Sequence, residues 1–100
     1  MALSKRTERN PHLKQAIQTR VYVLMRLAEI TDSIKAHASE RAELNRKIQD
    51  MPGDSSPDLR KLRDRRTYVS KRIEILRGEQ KDLQAQKKEV NETIVKLKKA

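Results

Sequence analysis

Apolar residues recur along this chain at alternating steps of three and four. In the first half the steps fall on Leu13, Ala16, Arg20, Val23, Leu27, Ile30, Ile34, His37, Arg41, Leu44, Ile48 and Met51. In the second half they fall on Leu59, Leu62, Arg66, Val69, Ile73, Leu76, Gln80, Leu83, Lys87, Val90, Ile94 and Leu97. Most members of each series are apolar. A mean period of about 3.5 residues, held this long, is the seam of a coiled coil rather than the alternation of a strand.

The punctuation agrees with that reading. Asn10-Pro11 predicts a helix start, with Asn as the cap and Pro in the first helical position. No Gly or Pro then occurs before Pro52-Gly53. The run MPGDSSPD is a turn cluster, and Ser56-Pro57-Asp58 repeats the start signal. After Pro57 only Gly78 interrupts. The chain should therefore form a helix over 11–50, a turn over 51–57 and a helix over 58–98. Each helix would be about 60 Å long at 1.5 Å per residue. Residues 10–100 make one helical-hairpin domain, and residues 1–9 a disordered basic segment ahead of it.

Folded back at the turn, the two seams match. Met51 meets Leu59, Ile48 meets Leu62, Ile34 meets Leu76, Leu27 meets Leu83 and Leu13 meets Leu97. The polar members never coincide: Arg20 meets Val90, Val23 meets Lys87, Ile30 meets Gln80, His37 meets Ile73, Arg41 meets Val69 and Leu44 meets Arg66. Flanking charges support this register weakly. Arg26 can reach Glu79, and Glu40 can reach Arg65 or Arg72, but exposed pairs contribute only about 0.2–1 kcal/mol. The expected fold is all-α, a two-helix antiparallel coiled-coil hairpin.

A lone hairpin of this kind is marginal, because two helices leave their seam half open and small scaffolds without staples commonly oligomerise. The first helix carries a second stripe, Ile17, Val21, Leu24 and Ala28, with Tyr22 and Met25 near it. The second helix has no comparable stripe; its outer positions are polar or charged apart from Tyr68, Ile75 and Val95. The expectation is a homo-oligomer that dimerises through the terminal end into a four-helix arrangement.

Composition sharpens the functional question. The 100 residues carry 24 Lys+Arg against 14 Asp+Glu, a net charge of +10, with 38% charged and 2% aromatic residues. Such a chain builds no large core and no concave small-molecule pocket. Basic residues concentrate in residues 59–77, at Arg60, Lys61, Arg63, Arg65, Arg66, Lys71, Arg72 and Arg77 against Asp64 and Glu74. Arg outnumbers Lys there, which suits bidentate contact with carboxylate or phosphate. The partner- or nucleic-acid-binding candidates are Arg60, Lys61, Arg63, Arg65, Arg66, Lys71 and Arg72. An acidic protein partner is the favoured target. Nucleic acid is the alternative, weakened because the charge surrounds the helix and Tyr68 is the one aromatic nearby. A solvated charged face is the third reading. A second basic group, Lys5, Arg6 and Arg9 with Lys96, Lys98 and Lys99, lies at the termini. Cations ending a helix favour its macrodipole, which accounts for the last three.

Reaction chemistry finds little footing. Cys is absent, and His12 and His37 lie far apart on one helix, so no metal site or cofactor is expected. His37 would be a polar seam layer whose protonation puts charge into the seam. No seam position holds Asp or Glu, and the turn lacks the Lys and spacing of a phosphate-binding loop. No catalytic residue is assigned and no enzyme is expected. The richest apolar window, 16–30, is interrupted by Gln18, Arg20, Arg26 and Glu29 and is no membrane span. The opening residues carry no apolar stretch behind their basic ones, so a cytoplasmic protein without membrane contact or small-molecule substrate is expected.

Over residues 13–97 the pattern resembles several helical-hairpin families. Among them are the tRNA-binding arm of seryl-tRNA synthetase and the small coiled-coil escort proteins of type III export. It also resembles secreted hairpins with a Trp-x-Gly turn, although the turn here has no Trp. The likeness is one of pattern, with no motif to carry a residue's role across. The expected function is that of an adaptor, escort or inhibitor that binds other macromolecules.

Overall fold

Asn10 caps the first helix through both of its oxygens. Its Oδ1 accepts from the Leu13 N–H at 3.1 Å, and its carbonyl accepts from the Lys14 N–H at 3.1 Å. The Lys14 bond is the first of the helix ladder, the Leu13 bond satisfies one of the donors that every helix start leaves open, and Pro11, with none to offer, sits first. The computed structural model describes residues 10–51 and 57–99. Within them α1 runs Pro11–Asp50 and α2 runs Pro57–Lys99, and no strand is present among the described residues. α1 keeps the bounds its sequence predicts, and α2 is one residue longer at each end. The Met51 N–H closes α1 with a bond of 3.3 Å to the Ile48 carbonyl. The centre of the expected turn, 52–56, and the basic segment, 1–9, lie outside the described residues.

The two helices pack against each other, and their contacts divide into two compact units. One unit is Ile30–Gln80; the other takes the described residues up to Glu29 and from Lys81 on. In the 30–80 unit, bonds across the helices join Arg65 to Glu40, Arg66 to Asn45 and Gln80 to Thr31. Later residues of α1 meet earlier residues of α2, so the pairing is antiparallel. Its core is Leu44, Val69 and Ile73, with Ile34, Ala38 and Leu62 packed against them. In the terminal unit a shallow groove is lined by His12, Ala16 and Thr19 of α1 and by Val90, Thr93 and Leu97 of α2. The start of α1 thus lies along the end of α2, antiparallel again.

Among the described residues the heptad seam accounts for every buried hydrophobic. Leu13, Val23, Ile30, Leu44, Leu59, Val69, Ile73, Leu76, Leu83 and Ile94 are the buried hydrophobics, and each occupies a seam position. Among all the seam positions only Lys87 is exposed; the rest are buried or half-buried. Fully burying a Leu or Ile stabilises by about 1.5–3 kcal/mol. That energy is confined to a strip, and the neighbouring positions hold little of it. Ile73 is 2% exposed and Ile75 is 53% exposed, although only Glu74 separates them. Ile73→Ala should lower the unfolding free energy by about 2–5 kcal/mol. Ile75→Ala should change it by less than about 0.5 kcal/mol, as surface substitutions do. Chemical denaturation followed by helicity checks both values, and equal losses would place the seam elsewhere.

Candidate interaction surfaces

The basic segment lies in the first six turns of α2, inside the 30–80 unit. The structure divides the seven candidate residues there into two sets. Arg60, Lys61, Arg63, Lys71 and Arg72 are exposed, and none makes an ion pair among the described residues. Arg65 and Arg66 are engaged within the fold. The Arg65 guanidinium grips Glu40 with both arms of its fork, Nε to Oε2 at 2.7 Å and Nη2 to Oε1 at 3.2 Å. Of the two partners open to Glu40 in the sequence, Arg65 makes the bond. Arg66 holds a seam position, half-buried, and its Nη1 donates to Asn45 Oδ1 at 3.0 Å. Its long stem covers apolar surface while its head reaches the rim.

Arg65 does a second thing that its sequence position does not announce. Its guanidinium carbon lies 5.0 Å from the centre of the Tyr68 ring. Cation and ring face attract at that distance. Glu40, Arg65 and Tyr68 therefore form a chain of contacts on the outside of the helix pair. Arg65 holds the Glu40 carboxyl below its ordinary pKa, first through the hydrogen bond and then through its charge, with His37 adding a little and partial desolvation opposing. Glu40 raises the Arg65 pKa in return. His37 lies one turn away, half-buried at its seam position, with Nδ1 2.8 Å from the Ser33 carbonyl oxygen to which it donates.

The second candidate surface lies on α1 in the terminal unit. Ile17 is half-buried there, Val21 is 50% exposed, Leu24 is 43% exposed and Ala28 is exposed. Tyr22 and Met25 stand beside them, also exposed. Every exposed residue of α1 from 15 to 28 is uncharged: Gln15, Gln18, Thr19, Val21, Tyr22, Leu24, Met25 and Ala28. Arg20 and Arg26 of the same stretch are half-buried towards the seam, and Arg26 Nη1 bonds Glu29 Oε2 at 3.1 Å.

No protein-family model, curated protein or solved structure matches the chain.

The surfaces have to be judged on their own chemistry. Among the described residues no group of three or more His, Asp or Glu is placed to hold a metal ion, and no helix is long and apolar enough to cross a membrane. Tyr68 and Ile75, which the sequence marks only as apolar exceptions among the outer positions of α2, are both more than half exposed. Their seven-residue separation was the available signal: it puts them two turns apart on one face, beside the cations.

The clamp between Glu40 and Arg65 gives a pH dependence of known sign. A carboxyl whose pKa is lowered by folding stabilises the fold above its unfolded pKa. That contribution disappears as pH falls through the still lower folded value. Glu40→Gln should therefore lower the melting temperature slightly at pH 7. The difference from the parent should close below the usual Glu range, about pH 4. Melts recorded across that range check it, and a difference that persists in strong acid would trace to something other than the ion pair.

Proposed function

We propose that this chain is a non-enzymatic interaction protein, a helical hairpin that binds an acidic protein partner through the basic segment of α2 and self-associates through α1. The observation that carries the first half is the set of five outward cations, Arg60, Lys61, Arg63, Lys71 and Arg72, without ion-pair partners among the described residues. A cation already held by a carboxylate inside its own fold has little left to offer a ligand; Arg65 is in that position and these five are not. Their shared field speeds the encounter with an acidic surface and suppresses basic ones. Adaptors, escorts and inhibitors of larger assemblies fit such a surface.

The second half rests on the uncharged face of α1. Each copy carries a net charge of +10, so two copies repel unless they meet where the charge is absent. The exposed side of α1 from 15 to 28 is such a place, and the half-open apolar stripe Ile17, Val21, Leu24 and Ala28 runs through it. Two of these faces would close into a four-helix arrangement with the isologous contact of a two-fold dimer.

Reversing charge at Lys61, Arg63, Lys71 and Arg72 to Glu should abolish capture of the acidic partner from nuclease-treated lysate and leave helicity unchanged. Capture that survives the reversal places the site elsewhere. A duplex titration decides against the nucleic-acid alternative. Tight binding at about 50 mM salt that weakens by orders of magnitude at about 200 mM would transfer the cations to phosphate recognition. For the self-association face, Leu24→Glu should reduce the mass seen in light scattering to that of a single chain. A parent that already scatters as one chain, or a variant of undiminished mass, removes this face from the account.

A further inference from the structure

We propose that an exposed stripe of α2, Lys61, Tyr68, Arg72 and Ile75, docks an acidic amphipathic helix of a protein partner, with Tyr68 and Ile75 as its apolar anchors. The inference rests on the reading of the basic segment given above and adds the anchors, the face and the shape of the partner.

The stripe follows from spacing and exposure. Steps of four and three from Lys61 reach Arg65, Tyr68, Arg72 and Ile75, the same rhythm as the seam but on an outer face. Tyr68 is 55% exposed and Ile75 is 53% exposed. They stand about 10 Å apart along the axis at 1.5 Å per residue. Arg72 lies between them and Lys61 one heptad before Tyr68. Large half-exposed apolar groups set among cations form the usual composition of a hot spot with its polar surround.

Tyr68 is also prepared for contact. Arg65 lies over its ring at 5.0 Å, and Arg65 is itself fixed by two hydrogen bonds to Glu40. A ring held in place before binding loses less freedom on binding. No further cation is consumed in this, because Arg65 is already neutralised by Glu40, whereas Lys61 and Arg72 have no ion-pair partner among the described residues.

Three candidate occupants can be ranked by the same contacts. A nucleic acid would use the cations, but it stacks bases on open ring faces. Arg65 occupies one face of Tyr68, and the aliphatic Ile75 offers a phosphate nothing. A second copy would bring its own basic segment against this one. An acidic protein helix satisfies every part: carboxylates for Lys61 and Arg72, and apolar residues at heptad spacing for Tyr68 and Ile75. A straight helix is the shape that follows such a stripe along α2.

The test uses the full-length protein and a fluorescent peptide of about three heptads, with Leu at the seam positions and Glu at the flanking ones. Glu repulsion keeps the peptide from pairing with itself. The parent should bind it, and Tyr68→Ala combined with Ile75→Ala should weaken binding by about tenfold or more. Tyr68→Phe should restore most of the loss at that position. Lys88→Ala combined with Lys96→Ala, exposed cations of α2 outside the basic segment, should change binding by less than about threefold, as peripheral contacts do. All variants should keep the parent helicity, since both anchors are more than half exposed. The proposal is overturned if the parent ignores the peptide, or if the anchor pair binds it as the parent does. Should the anchor pair bind normally while the four-site charge reversal does not bind, the stripe falls and the basic-segment reading stands. Should a short duplex displace the peptide and bind the anchor pair undiminished, the surface belongs to phosphates.

Discussion

Two helices have only one strip each to hide from water. That constraint governs everything else in this structure. All the buried hydrophobics lie on the seam, and within two residues of a buried position a large apolar side chain can stand half in solvent, as Ile73 and Ile75 show. A larger domain would cover such residues with a third layer. Here no described element is left over to do so. The large apolar groups left exposed among the described residues, Val21, Tyr22, Leu24 and Met25 on α1 and Tyr68, Ile75 and Val95 on α2, are therefore the places where a further molecule gains most from contact.

The polar members of the seam show how a narrow core tolerates them. Arg66 sends its head out to Asn45, His37 bonds back to the Ser33 carbonyl, and Gln80 reaches Thr31 at 3.3 Å across the pair. No described buried side-chain polar atom lacks a partner. Each such layer sacrifices some burial, and a slipped register would lose the cross-helix bonds of Arg66 to Asn45 and Gln80 to Thr31. Lys87 takes the other course and stays exposed. With so thin a core, stability and register are set by the same few layers.

The seam was legible because a period of three and four repeats through both halves, and a period survives the misreading of any single residue. The start of α1 was legible because Asn10 and Pro11 act through local geometry, and the Leu13 N–H bond to Asn10 is the predicted one. Side-chain pairing was only half legible. Spacing left Glu40 a choice of Arg65 or Arg72, and rotamers decided it. Nor could spacing show that Arg65 would be laid over Tyr68. The division of contacts at residues 29–30 and 80–81 has no marker in the sequence either. It reflects how packing is distributed along a continuous pattern, which periodicity does not record.

Arg65 and Arg66 are bonded within the fold, and the other five candidate cations make no ion pair among the described residues. Free cations attract any polyanion, and their attraction is screened within about 8–10 Å in ordinary salt. They govern how fast a partner arrives. The apolar anchors act at contact and govern how slowly it leaves, which is where related complexes mostly differ in affinity. A surface built of cations alone would leave the choice between protein and nucleic acid to chance. Under the docking proposed above, Tyr68, held by Arg65, and Ile75, useless to a phosphate, would give the same face a means of refusal. In the proposed docking, selectivity would come from two uncharged side chains in the most strongly charged part of the molecule.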